Sequence, residues 1–107
     1  MILATLRVTV RPEKQRETLQ TLRSIVGPTR VEPGCMSCHV YQDGEDENAL
    51  TLVEQWRTQA DFQRRLCSKE YRKVLAVMES SVEAPEIRIN TVSHIAGLEA
   101  IEAARAR

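Results

Sequence analysis

Two alternating runs, residues 35–43 and 49–57, flank a short acidic stretch, Gly44-Glu45-Asp46-Glu47-Asn48. Period-two alternation on both sides of a polar turn specifies a β-hairpin with a longer loop. The hairpin hands over to helix: Thr58 with Asp61 three residues on is a capping-box pattern, and Phe62 and Leu66 fall on one side of a short helix. Cys67-Ser68 reads as a joint, with Ser68 placed to cap a fresh helix. Tyr71, Val74, Leu75, Met78 and Val82 then form an apolar stripe, closed by Ala84-Pro85. This stretch carries the only Trp, both Tyr, the only Phe and all three Cys.

The flanking segments complete a repeated pattern. Ile2, Ala4, Leu6, Val8 and Val10 alternate with Leu3, Thr5, Arg7 and Thr9, which predicts a first strand. Pro12 suits the first turn of a helix and Glu13 complements its dipole. Leu19, Leu22, Ile25 and Val26 supply that helix's apolar stripe, and Gly27-Pro28 is expected to stop it. Residues 86–95 predict a fourth strand, with Ile87 and Ile89 on one face, and Gly97 breaks it. Residues 97–107 read as a short helical tail beyond a domain of residues 1–96. The order β-α-β-β-α-β predicts a ferredoxin-like α+β fold, a four-stranded antiparallel sheet with both helices on one face. Apolar side chains on both faces of the third strand call for a second cover, most simply a second copy in a homodimer.

Fifteen basic and fifteen acidic residues give a net charge of zero, which argues against a nucleic-acid or anionic-membrane surface. The segment after Met1 has no signal-peptide pattern and no apolar run reaches the length of a membrane span. A cytoplasmic location is the expectation. The odd count of three cysteines does not suit a disulfide framework.

Pro33-Gly34-Cys35 opening the second strand, Tyr41 near its end and Glu54-Gln55-Trp56 closing the third resemble the antibiotic biosynthesis monooxygenase family. The Thr58–Asp61 helix start, Phe62, Leu66, Ser68 and Tyr71 extend the resemblance, which covers nearly the whole chain. It implies a dimeric α/β barrel with a pocket between sheet and helices. It also implies activities that include cofactor-independent oxygenation of quinols and polyketide phenols, haem degradation and sugar-phosphate isomerisation. Arg65 stands where members often carry a His before the Leu of the short helix. In haem-degrading members a helix His binds iron, so Arg65 argues against a haem role.

His39 and Tyr41 share one face of the second strand, and Glu54 and Trp56 one face of the third. If the hairpin joins those faces, a His, a phenol, a carboxylate and an indole meet, a set suited to acid/base work on a flat phenol. His39 is the candidate general base, Tyr41 or Arg65 the group that orients the substrate oxygen, and Trp56 the stacking wall. Glu54 and Tyr71 complete the candidate substrate site, although Tyr71, on the apolar helix stripe, reads more readily as core. No cofactor or metal is expected. Cys35-x-x-Cys38 suggests a redox or zinc pair, but residues three apart on a regular strand face opposite ways. Arg88 and His94 read as surface, and Cys67 as a lone thiol. Two functions stay open: a cofactor-independent monooxygenase of a quinol, polyphenol or similar small aromatic substrate, and a non-catalytic small-ligand binding or regulatory domain.

Overall fold

The computed structural model describes residues 1–106. Four strands, β1 (Ile2–Thr9), β2 (Cys35–Gln42), β3 (Ala49–Trp56) and β4 (Glu86–Thr91), form one sheet in the order β2-β3-β1-β4. Every neighbouring pair is antiparallel. The helices are α1 (Gln15–Arg30), α2 (Gln59–Leu66), α3 (Tyr71–Glu79) and α4 (Leu98–Arg105). This is the expected ferredoxin-like α+β fold.

The core lies on one side of the sheet. Leu6 and Val8 of β1, Leu50 and Leu52 of β3 and Cys38 of β2 pack there against Leu22 and Ile25 of α1 and Val74 and Val77 of α3. A smaller cluster of Ile2, Trp56 and Phe62 closes the α2 end of the same layer. The other face carries Thr5, Arg7, Thr51, Val53 and Gln55, and α1, α2 and α3 all pack on the opposite side. It is more polar than the sequence reading implied, with an Arg7–Asp43 ion pair of 3.0 Å and a Ser37–Gln55 hydrogen bond of 2.8 Å.

Several boundaries move from expectation. Helix α1 runs through Gly27-Pro28 to Arg30. A proline inside a helix keeps a helical φ but forfeits its own N–H bond. The extra turn lets Arg30 donate to the Cys38 carbonyl at 3.0 Å and approach His39 Nδ1 at 3.2 Å, tying the helix end to β2. Ser68 does not cap α3; its hydroxyl donates back to the Arg65 carbonyl at 2.7 Å. Helix α3 ends at Glu79, so Val82 leaves the stripe and its N–H instead binds the Thr9 carbonyl at 2.7 Å. Val77, not Leu75, completes the buried face. Strand β4 ends at Thr91, four residues short of the predicted Ile95, and His94 lies exposed beyond it. The tail helix spans Leu98–Arg105, and Arg107 lies outside the described residues.

The β2 register departs most consequentially. Cys35 pairs with Trp56, Ser37 with Gln55 and Cys38 with Glu54, so Met36 is an extra residue, a β-bulge. One extra residue turns every later side chain to the other face. Cys38 and Val40 therefore point to the helices, while His39 and Tyr41 point to the open face.

Gly34, just before the bulge, has φ of 85°, and a Cβ there would lie 2.5 Å from the Asp61 Cβ. Asp61 is fixed by the N-cap of α2, where its N–H donates to Thr58 Oγ1 at 3.1 Å. Gly34→Ala is expected to cost roughly 2 kcal/mol or more, from the positive φ and the collision together. Urea denaturation against wild type checks this, and an unchanged midpoint would contradict it.

Candidate functional site

The face-switch at Met36 separates the residues that the sequence reading brought together. His39 and Tyr41 lie on the open face, paired with Val53 and Thr51. Their rings sit 6.1 Å apart, both exposed. Glu54 and Trp56 lie on the helix face, buried to 4% and 1% exposure. The four-residue constellation does not form.

Arg65 forms a different one on the helix face. Expected as a group that orients the substrate oxygen, it is instead 2% exposed. Its Nε donates to Glu54 Oε1 at 3.2 Å and its Nη2 to Glu54 Oε2 at 3.0 Å, a two-point clamp. Trp56 Nε1 donates to the same Oε1 at 2.8 Å. Arg65 Nη1 reaches Glu32 Oε2 at 3.4 Å, and its guanidinium stacks over the Tyr71 ring at 5.2 Å. Burial works against the Arg65 charge, but the hydrogen bonds and charge of Glu54, with Glu32 behind it, outweigh burial and raise its pKa. A buried carboxylate needs such a partner. A signal for it was present: Glu54 stands among Leu50, Leu52 and Trp56 on an apolar strand face, and Arg65 falls one helical turn after Phe62.

Above this pair lies a cleft between the sheet and the α2–α3 corner. Ala4, Leu6, Leu52, Phe62, Leu66, Met78, Ile87 and Ile89 wall it, with Glu54 and Tyr71 as polar members beside Thr5. Its enclosed volume is about 30 Å³, room for one water. Ile87 and Ile89 are 52% and 55% exposed although they stand on the inner face of β4, so the cleft continues outward as an open apolar wall. Burial raises the Tyr71 pKa, the Glu54 charge adds to that and Arg65 opposes it. The phenol thus stays protonated and able to donate at neutral pH.

The bulge also corrects the reading of the cysteines: Cys35 and Cys38, opposite Trp56 and Glu54, share the helix face. Burial pushes the Cys38 thiol up to about 12 and raises that of Cys35 as well. Thiols held protonated in this way are poor nucleophiles. Cys67 is exposed. Labelling of the folded protein with a thiol-specific reagent is expected to modify Cys67 first and Cys38 only on unfolding; fast labelling of Cys38 would contradict the packing. Among the described residues no three His, Cys, Asp or Glu side chains stand together as a metal-binding group. No described helix is long and apolar enough to cross a membrane.

Residues 1–77 match the family model of the antibiotic biosynthesis monooxygenases. The chain belongs to that family. It is 25% identical over 85 residues to YcnE of Bacillus subtilis, whose name proposes a monooxygenase, covering 79% of this chain and 90% of that one. It is 34% identical over 53 residues to the uncharacterized protein sll1783 of Synechocystis, a match of 50% of this chain and 36% of that protein. The chain thus spans little more than a third of that relative. Rv0793 from Mycobacterium tuberculosis has the same fold, with a TM-score of 0.80 at 22% identity over 90% of this chain and 98% of that one.

Proposed function

We propose that the protein is a cofactor-independent monooxygenase that takes a quinol, polyphenol or similar flat aromatic in the cleft between sheet and helices. The observation that carries this reading is an apolar cleft that holds one protonated phenol, Tyr71, and one clamped carboxylate, Glu54, beside Thr5. A planar ring would lie on Ile87 and Ile89 with its oxygen toward Tyr71. In such chemistry the substrate loses its hydroxyl proton to solvent at the open side of the cleft, and its anion supplies the electrons that reduce dioxygen, one oxygen atom entering the product and the other leaving as water. Tyr71 donates to the substrate oxygen and stabilises its anion. The Arg65 stack fixes the Tyr71 ring, and the clamp fixes Arg65. Glu54 has both oxygens engaged, so it orders the site rather than accepting the substrate proton.

His39 lies on the open face, and we assign it and Tyr41 to subunit contact rather than chemistry. That face carries Leu3, Val53 and Tyr41 among polar neighbours, and a second copy seated on it gives the homodimer that family resemblance implies. The second reading, a ligand-binding domain without turnover, is favoured by one observation: Glu54 is clamped by Arg65 and His39 lies on the open face, so neither is free in the cleft to take a substrate proton.

Oxygen uptake over a panel of naphthoquinols and anthraquinols separates the two. Turnover that falls about tenfold or more in Tyr71→Phe and survives in His39→Ala supports the proposal. Saturable binding with no oxygen uptake supports the second reading. Turnover lost in His39→Ala, with the dimer intact, would return the base role to His39 and overturn this assignment.

A further inference from the structure

A groove of about 290 Å³ lies between α1 and β2, an edge strand of the sheet. It shares no lining residue with the cleft, so its occupant is independent of the one proposed there. Leu19, Arg23, Val26 and Arg30 recur at helical spacing along one stripe of α1, apolar alternating with basic. Leu19 and Val26, with Val40 of β2, give the groove an apolar floor. No Asp or Glu lines it, and neither Arg23 nor Arg30 forms an ion pair with a described carboxylate. In a chain whose net charge is zero, this groove carries two unmatched positive charges.

Arg30 is held in place without losing its charge to a carboxylate. Its Nε donates to the Cys38 carbonyl at 3.0 Å and its Nη2 lies 3.2 Å from His39 Nδ1, while Nη1 has no partner among the described residues. The edge of β2 adds a backbone donor. The Asp43 N–H bonds the Ala49 carbonyl at 3.0 Å. Alternation along an antiparallel ladder then turns the N–H groups of Tyr41 and His39 toward β3 and those of Val40 and Cys38 outward. The Cys38 carbonyl, taken by Arg30 from outside the sheet, points the same way. No strand pairs with that edge, so the Val40 N–H stays unpaired on the side from which Arg30 approaches.

We propose that this groove binds a small aliphatic carboxylate, its carbon chain on Leu19, Val26 and Val40 and its carboxylate between Arg23, Arg30 and the Val40 N–H. A planar guanidinium meets a carboxylate through two parallel N–H···O bonds. Arg23 and Arg30 stand two turns apart, about 10 Å along the helix axis, a span that two long side chains close around one carboxylate. The apolar floor favours an anion that carries a chain over a bare inorganic one. His39, on the open face, holds the Arg30 guanidinium from behind and does not itself touch the ligand.

The test is titration with sodium hexanoate, followed by calorimetry and by the methyl signals of Leu19, Val26 and Val40 in isotope-labelled protein. Sodium phosphate and n-hexylammonium chloride at equal ionic strength serve as the chain-free and opposite-charge probes. A ligand of this size is expected to bind in roughly the millimolar range. Saturable binding of hexanoate that shifts those methyl signals, leaves Ile87 and Ile89 of the cleft unmoved and weakens about tenfold in Arg23→Gln and Arg30→Gln supports the proposal. Arg23 is exposed, so Arg23→Gln leaves the fold intact even if Arg30→Gln loosens the tie between α1 and β2. Absence of saturation by about 0.1 M, a wild-type affinity in Arg23→Gln, phosphate or hexylammonium binding as tightly as hexanoate, or shifts centred on Ile87 and Ile89 would each overturn it.

Discussion

Arg65→Met is expected to destabilise the fold by about 3–5 kcal/mol, because it leaves the Glu54 carboxylate buried without its partner. Glu54 is 4% exposed, and Trp56 Nε1 would be its remaining donor. The double variant Glu54→Gln/Arg65→Met removes both charges and is expected to recover a large part of the loss. Urea denaturation of the two variants, compared with wild type, makes the measurement. If the single variant unfolds at the wild-type midpoint, the pair does not hold the α2 corner to the sheet.

Trp56→Ala is expected to cost a similar amount, roughly 3–5 kcal/mol, through the cavity left between Ile2 and Phe62. Trp56→Phe refills most of that volume but leaves Glu54 Oε1 one donor short, so a loss of about 1–3 kcal/mol is expected from the hydrogen bond. The gap between the two variants reports packing, and the residual loss in Trp56→Phe reports the Nε1 contact of 2.8 Å. Equal losses in both would mean that the indole acts chiefly as a donor. Thermal melting followed by far-ultraviolet circular dichroism resolves shifts of this size, since about 1 kcal/mol moves the midpoint several degrees in a domain this small.

The element order and the sheet were legible because period-two runs and helical stripes each bury one face. Ile2, Leu6, Val8, Leu50, Leu52 and Trp56 all point where alternation places them. The faces of β2 were not legible. Cys38 and Val40 offer about as much apolar area as Cys35 and Tyr41, so alternation alone does not say which set turns inward. The bulge at Met36 resolves that tie, and with it the fate of His39. Helix ends were misplaced where local signals lost to tertiary contacts: Arg30 anchoring β2 outweighs the stop at Gly27-Pro28, and the Thr9–Val82 bond takes Val82 out of α3. The burial of Arg65 was not legible from its charge, which argues for the surface, although its spacing argues for the core. Three residues after Phe62 on a helix is the buried side, and Glu54 opposite supplies the compensating charge.

The helix-face location of the site is the claim on which the rest depends. Titrating isotope-labelled protein with a 1,4-naphthoquinone, the oxidised and stable counterpart of the proposed substrate class, and following the Ile and Leu methyl and His imidazole signals tests it most directly. Saturable shifts are expected at Ile87, Ile89 and Leu66 with His39 unmoved. Shifts centred on His39, with the methyl signals of β4 unchanged, would place the ligand on the open face and contradict it.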